Sequence, residues 1–201
     1  MESNIFEQIM ETCSEKKVVS CCKKLSKKSK LTSGAVASTL TELAYWLYVY
    51  GHIDEALKVC EFSHIDIPKP DKVNYNVWDF VLWIWGLEAY IYRKQGDEGR
   101  CSERIAEMER VWLIPNGLDN TEEKRQKANA QVRNALTYED AIKKDKIERE
   151  LADGNKSWAR ETRFLALYTM IGYGVTGFYP HLEEHRNDLE EMIEEYIQLL
   201  R

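Results

Sequence analysis

Apolar residues recur along this chain at the i, i+3, i+4, i+7 spacing of helices with one buried face. Ile5, Phe6, Ile9, Met10 and Cys13 follow it behind a Ser3 cap, and Val18, Cys22 and Leu25 behind Ser14. The pattern predicts two short N-terminal helices or one bent one. Leu40, Leu43, Ala44 and Leu47 set out the next helix, a tight Gly51-His52 turn ends it, and Ala56, Leu57 and Cys60 face inward on the returning helix. Pro68 and Pro70 then enforce a stop. From Val77 to Lys94 apolar residues occupy nearly the whole helical circumference, the mark of a helix buried between neighbours. Trp78 to Tyr92 is therefore expected to be the most buried helix, with Leu82, Trp85 and Ala89 almost inaccessible.

Gly96-Asp97 makes a second turn, and Cys101, Ile105, Met108 and Trp112 line the helix that returns from it, as far as Ile114-Pro115-Asn116-Gly117. Residues 120–156 are highly charged, with a thin apolar stripe of Ala128, Val132, Ala135 and Leu136, which predicts a peripheral helical pair. Ser157 caps a helix through Phe164, Leu165, Tyr168 and Ile171, and the glycines Gly172, Gly174 and Gly177 interrupt it. Pro180 opens a last helix with Leu182, Leu189, Met192, Ile193, Tyr196 and Leu200 on its apolar face. No run alternates apolar and polar residues, so no sheet is expected and the fold class is all-α. A length of 201 residues suits one domain. Within it, residues 1–34 form basic N-terminal helices, 35–117 hairpins, 118–156 charged peripheral helices and 157–201 a C-terminal hairpin.

Ala44 to Pro68 resembles a tetratricopeptide repeat. Ala44 and Ala56 stand at the small positions where paired helices touch, Leu47 lies between them, Gly51 is at the turn, Asp54-Glu55-Ala56-Leu57 opens the second helix and Pro68 ends the unit. Trp85 to Met108 repeats the pattern less fully, with Ala89, Tyr92 and Lys94-Gln95-Gly96-Asp97, and with Cys101 where alanine is usual. Small residues matter there because a bulky side chain would push the helix axes beyond ~8–10 Å. The turn glycines are 45 residues apart, against ~34 for a regular repeat, and the inserted connection from Pro68 to Asp79 accounts for the excess. The resemblance spans residues 40–112 and implies stacked antiparallel hairpins with a surface for a protein partner. If the first helix of each hairpin lines that surface, Tyr45, Tyr48, Trp83 and Tyr90 are the rings that would project into it. The alternative is that they fill the core.

Charge adds an asymmetry. The net charge of −6 argues against a general nucleic-acid binder, yet Lys16, Lys17, Lys23, Lys24, Lys27, Lys28 and Lys30 crowd the N-terminal region. The C-terminal region carries Glu183, Glu184, Asp188, Glu190, Glu191, Glu194 and Glu195. From that acidic set, Glu183, Glu184, Glu191, Glu194 and Glu195 are candidates to meet a partner with a basic surface. The polar, acidic start and the absence of a long apolar stretch give the expectation of a cytoplasmic protein without a membrane span. The five cysteines form no C-x-x-C pair and read as reduced thiols.

Signals for chemistry are few. His181-Leu182-Glu183-Glu184-His185 satisfies H-x-x-E-H, which on a helix puts His181 and His185 on one face with Glu184 as a general base. Pro180 places His181 in the first turn, and a solvated acidic helix start accounts for the same letters. No phosphate-binding glycine motif or nucleophile elbow occurs, His52 and His64 stand isolated, and no cofactor is implied. The expectation is a non-catalytic protein-binding module, with a bacterial immunity or regulatory protein as the concrete form. A metal-dependent hydrolase using His181 and His185, and a nucleic-acid adaptor using the N-terminal lysines, are its rivals.

Overall fold

The computed structural model describes residues 4–27, 31–66 and 75–111, together with residues 191, 194, 195, 197, 198, 200 and 201. Among the described residues, six continuous helices run in order: α1 (Ile5–Thr12), α2 (Lys16–Leu25), α3 (Ser33–Val49), α4 (Ile53–Asp66), α5 (Tyr75–Lys94) and α6 (Glu98–Val111). Among the described residues there is no strand. The fold is all-α, as the apolar period requires, and its helices pack around a shared core. No helix among the described residues is long and apolar enough to cross a membrane.

The N-terminal region forms two helices, and both caps differ from expectation by one residue. Asn4 caps α1, its Oδ1 accepting the Phe6 N–H at 3.2 Å, where Ser3 was expected. Asn and Ser are comparable caps, so adjacent candidates leave the register open in sequence. Glu15, not Ser14, is the N-cap of α2, and its side chain makes no capping bond. That carboxylate is turned to another use, described below.

The two central hairpins close with the same turn. Gly51 donates to the Tyr48 carbonyl and His52 to the Leu47 carbonyl, at 3.0 and 2.9 Å. Forty-five residues on, Gly96 donates to Arg93 and Asp97 to Tyr92, at 2.9 and 2.8 Å. Each is a Schellman motif with glycine at φ +86° or +76°, the left-handed conformation that glycine adopts without strain. His52 and Asp97 then accept the first bonds of α4 and α6, from Ala56 and Cys101. The same offset superposes Tyr45 on Tyr90, Leu47 on Tyr92, Ala44 on Ala89 and Ala56 on Cys101.

Helix α3 packs on α2, α4 and α5, and every residue from Ala37 to Val49 is buried. It shares the molecular centre with α5, whose residues Trp83 to Tyr92 are also all buried. Trp85 and Ala89 are among them, as the sequence predicts, while the side chain of Leu82 lies outside the described residues. The expectation of one central helix gives way to a pair because both first helices of the hairpins are apolar on more than one side. The charged pair predicted over residues 120–156 and the helix behind Ser157 lie outside the described residues. The helix expected behind Pro180 is represented by residues 191, 194, 195, 197, 198 and 200, all helical.

Candidate functional site

The four rings expected to line a groove are buried: Tyr45 and Tyr90 are fully covered and Tyr48 and Trp83 are 8% exposed. Of the two placements left open, the rings take the core one and join α3 to α5. Tyr45 Oη donates to the Trp83 carbonyl at 2.8 Å, and the Tyr48 and Tyr90 rings meet edge to face at 5.7 Å. A tyrosine buries an apolar body and still finds an acceptor for its hydroxyl, so Tyr suits this interface as well as a binding surface.

The polar end of this aromatic cluster meets the C-terminal helical residues. Tyr90 Oη donates to Glu194 Oε1 at 2.6 Å, and the Lys94 ammonium lies 3.4 Å from the same carboxylate oxygen. Ile197 is fully buried in the common core, and Arg201 Nε donates to the Val49 carbonyl at 2.6 Å. Glu194, Ile197 and Arg201 occupy one face of a helix. They seat it across the ends of α3 and α5. Burial, reinforced by Tyr48 and by Glu194, raises the Tyr90 phenol, which therefore stays a donor. Two sets of residues expected to act apart, the aromatic rings and the acidic patch, are in contact with each other through Tyr90 and Glu194. Glu191 and Glu195 are exposed.

A second polar cluster crosses the α5–α6 hairpin. Glu88 is 1% exposed, and its carboxylate meets Arg104 Nε at 3.0 Å and accepts from Tyr92 Oη at 3.1 Å. Arg104 also binds Glu107 at 2.7 Å. This ion pair ties α6 to α5.

A third cluster lies where two turns meet. Cys13 at the end of α1, Glu15 at the start of α2 and His52 in the α3–α4 turn bring a sulfur, a carboxylate oxygen and a ring nitrogen within 4.8 Å of one another. His52 Nε2 and Glu15 Oε1 are 3.0 Å apart. The hydrogen bond from His52 holds the Glu15 carboxyl below its ordinary value, and burial raises the Cys13 thiol.

A family model matches residues 1–201 throughout. The chain belongs to DUF6707, a family of unknown function. No curated protein and no solved structure matches it.

The remaining sequence candidates are dispersed. Lys16, Lys17, Lys23, Lys24 and Lys27 are exposed on and after α2, and Lys17 Nζ sits 5.1 Å from the centroid of the Trp46 ring. Lys28, Lys30, Glu183, Glu184 and the whole His181–His185 run lie outside the described residues. All five cysteines are free and buried; burial pushes the Cys22 thiol up to about 12 and raises Cys21 and Cys60 as well. The adjacent pair Cys21-Cys22 thus lacks the thiolate character of reactive cysteines. Sequence reading missed the joining of Cys13, Glu15 and His52 because no motif spans the gap from Cys13 to His52. The only local signal was an acidic residue at the start of α2 facing a turn histidine.

Proposed function

We propose that this protein is a non-catalytic binding module, tetratricopeptide-like in its two central hairpins, whose α3–α5 face receives an amphipathic helix from a protein partner. One observation supports the reading above all others: the chain seats its own C-terminal helical residues on that face, through Glu194, Ile197 and Arg201. Helix-in-groove recognition uses the same elements, an apolar anchor flanked by polar contacts one turn away. The seat offers a phenol donor from Tyr90 and an ammonium from Lys94, so the incoming helix carries a carboxylate with an aliphatic side chain one turn beyond it. A regulatory or immunity role, in which a small protein masks a segment of another, suits this chemistry by analogy.

The chain cut after residue 185 exposes the seat, and a synthetic peptide of residues 186–201 is the probe. Fluorescence anisotropy should show the peptide binding the shortened chain and not the full chain, whose own helix occupies the face. Tyr90→Phe in the shortened chain removes a hydrogen bond to a carboxylate worth about 1.5–3 kcal/mol, so peptide affinity should fall about 10- to 150-fold. Cellular proteins retained by the shortened chain and released by the peptide are the partners that use this seat. A shortened chain that keeps its helical circular dichroism and ignores the peptide would sink the reading.

A further inference from the structure

Cys13, Glu15 and His52 stand on three backbone positions fixed by helix ends. Cys13 donates its N–H to the Ile9 carbonyl as the C-cap of α1. The Glu15 carbonyl accepts from Val19 as α2 begins, and its carboxylate, unused for capping, reaches across to His52. His52 is held twice, by its N–H to Leu47 and by its carbonyl to Ala56. The donors therefore converge with little conformational freedom left to lose. Glu15 Oε2 is buried and has no hydrogen-bond partner among the described residues. A carboxylate oxygen left in that state is unfavourable, and a cation would satisfy it.

We propose that Cys13, Glu15 and His52 form a zinc(II) site, with water in the fourth position, that staples the α1–α2 turn to the α3–α4 turn. One thiolate, one imidazole and one carboxylate are donors that a borderline-soft, four-coordinate ion accepts. With bonds of about 2.0–2.3 Å, tetrahedral zinc holds its donors about 3.3–3.6 Å apart. The present spacing, 3.0 Å for the His52–Glu15 contact and within 4.8 Å for all three, brackets that range. A thiolate and a carboxylate also neutralise the two positive charges, so no net charge enters a half-buried place. Cys13 releases its proton to solvent on binding, and His52 ligates through Nε2 with its proton on Nδ1. Thr12 Oγ1, 3.6 Å from Cys13 Sγ, is placed to hold the thiolate in direction. Glu15 and His52 are 29% and 27% exposed, which leaves an entry path and room for the water ligand. This inference is independent of the helix seat on α3 and α5.

Full-length protein stripped with a chelator and titrated with zinc against a chromophoric competitor tests it. One equivalent should bind with a dissociation constant below about 1 µM, tightness within reach of structural zinc sites. Cobalt in place of zinc should give a thiolate charge-transfer band and intense tetrahedral visible bands. Cys13→Ser should abolish that band, and His52→Gln and Glu15→Gln should each weaken binding about 100-fold or more. Zinc should raise the melting temperature of the native protein and leave those of the variants unchanged. His52→Gln alters a partly exposed turn residue and keeps the test open if Cys13→Ser does not fold. Absence of stoichiometric binding, or a cobalt complex with no thiolate band, would overturn the proposal. So would binding that survives all three substitutions and disappears in His181→Ala/His185→Ala, which would mark the metal as adventitious to this site.

Discussion

A carboxylate with 1% exposure is tolerable in a helical core only beside a cation that shares its burial, and Glu88 has Arg104 at 3.0 Å. Removing one partner leaves the other charge stranded, so Arg104→Ala should destabilise the fold by about 3–5 kcal/mol, read from urea denaturation. Replacing both together, Glu88→Leu with Arg104→Leu, should recover most of that loss, since no charge is left without a partner. Equal losses in the single and double variants would show that the Arg104 guanidinium over the Trp85 ring, 5.5 Å from its centroid, matters more than its pairing with Glu88. At this scale the sequence was partly legible. Ala44, Ala56 and Cys101 were placed correctly at buried contacts. Tyr45 and Tyr90 were left open between groove and core because the same amphipathic side chain serves a surface and a core, and only the neighbours decide. In the sequence Glu88 simply follows the apolar run from Phe80 to Leu87. Its burial follows from Arg104, on the next helix, which periodicity alone does not pair with it.

Helix ends carry much of what distinguishes this fold. Neither Gly51 nor Gly96 has a heavy atom within 4 Å of where a Cβ would stand, so only the left-handed backbone disfavours a side chain there. Gly51→Ala and Gly96→Ala should therefore each lower stability by about 1–2 kcal/mol, and by similar amounts, because the two turns are alike. Asn at either position should lose less, since Asn tolerates the left-handed region. Denaturation midpoints of the four variants check this; a much larger effect at one site would mean that the turns are not equivalent. Both turns were legible from Gly-His and Gly-Asp after apolar helices. The caps of α1 and α2 were not, as Ser3 and Asn4 compete as neighbours and Glu15 faces His52 instead of its own helix.

For the whole molecule, periodicity told fold class and hairpin order, because both depend on apolar spacing that every helix repeats. It did not tell which surfaces meet at a distance. The contact of Glu194 with Tyr90 and the convergence of Cys13 on His52 join segments that carry no shared motif, and so neither candidate site could be assembled from sequence. The five buried thiols have a consequence of another kind. They lie at the end of α1 and on α2, α4 and α6, and none lies on α3 or α5. The flanking helices thus carry built-in clocks, each silent to a small disulfide reagent until its own helix lifts away from the centre. Mass spectrometry of metal-free protein after timed labelling should find Cys13, beside a turn, modified first. Cys21, Cys22 and Cys60 should follow together at a rate that rises with urea as global unfolding does. If Cys60 were modified early while Cys22 lagged, α4 would open by itself, and the order of ticking would read out how the hairpins come apart.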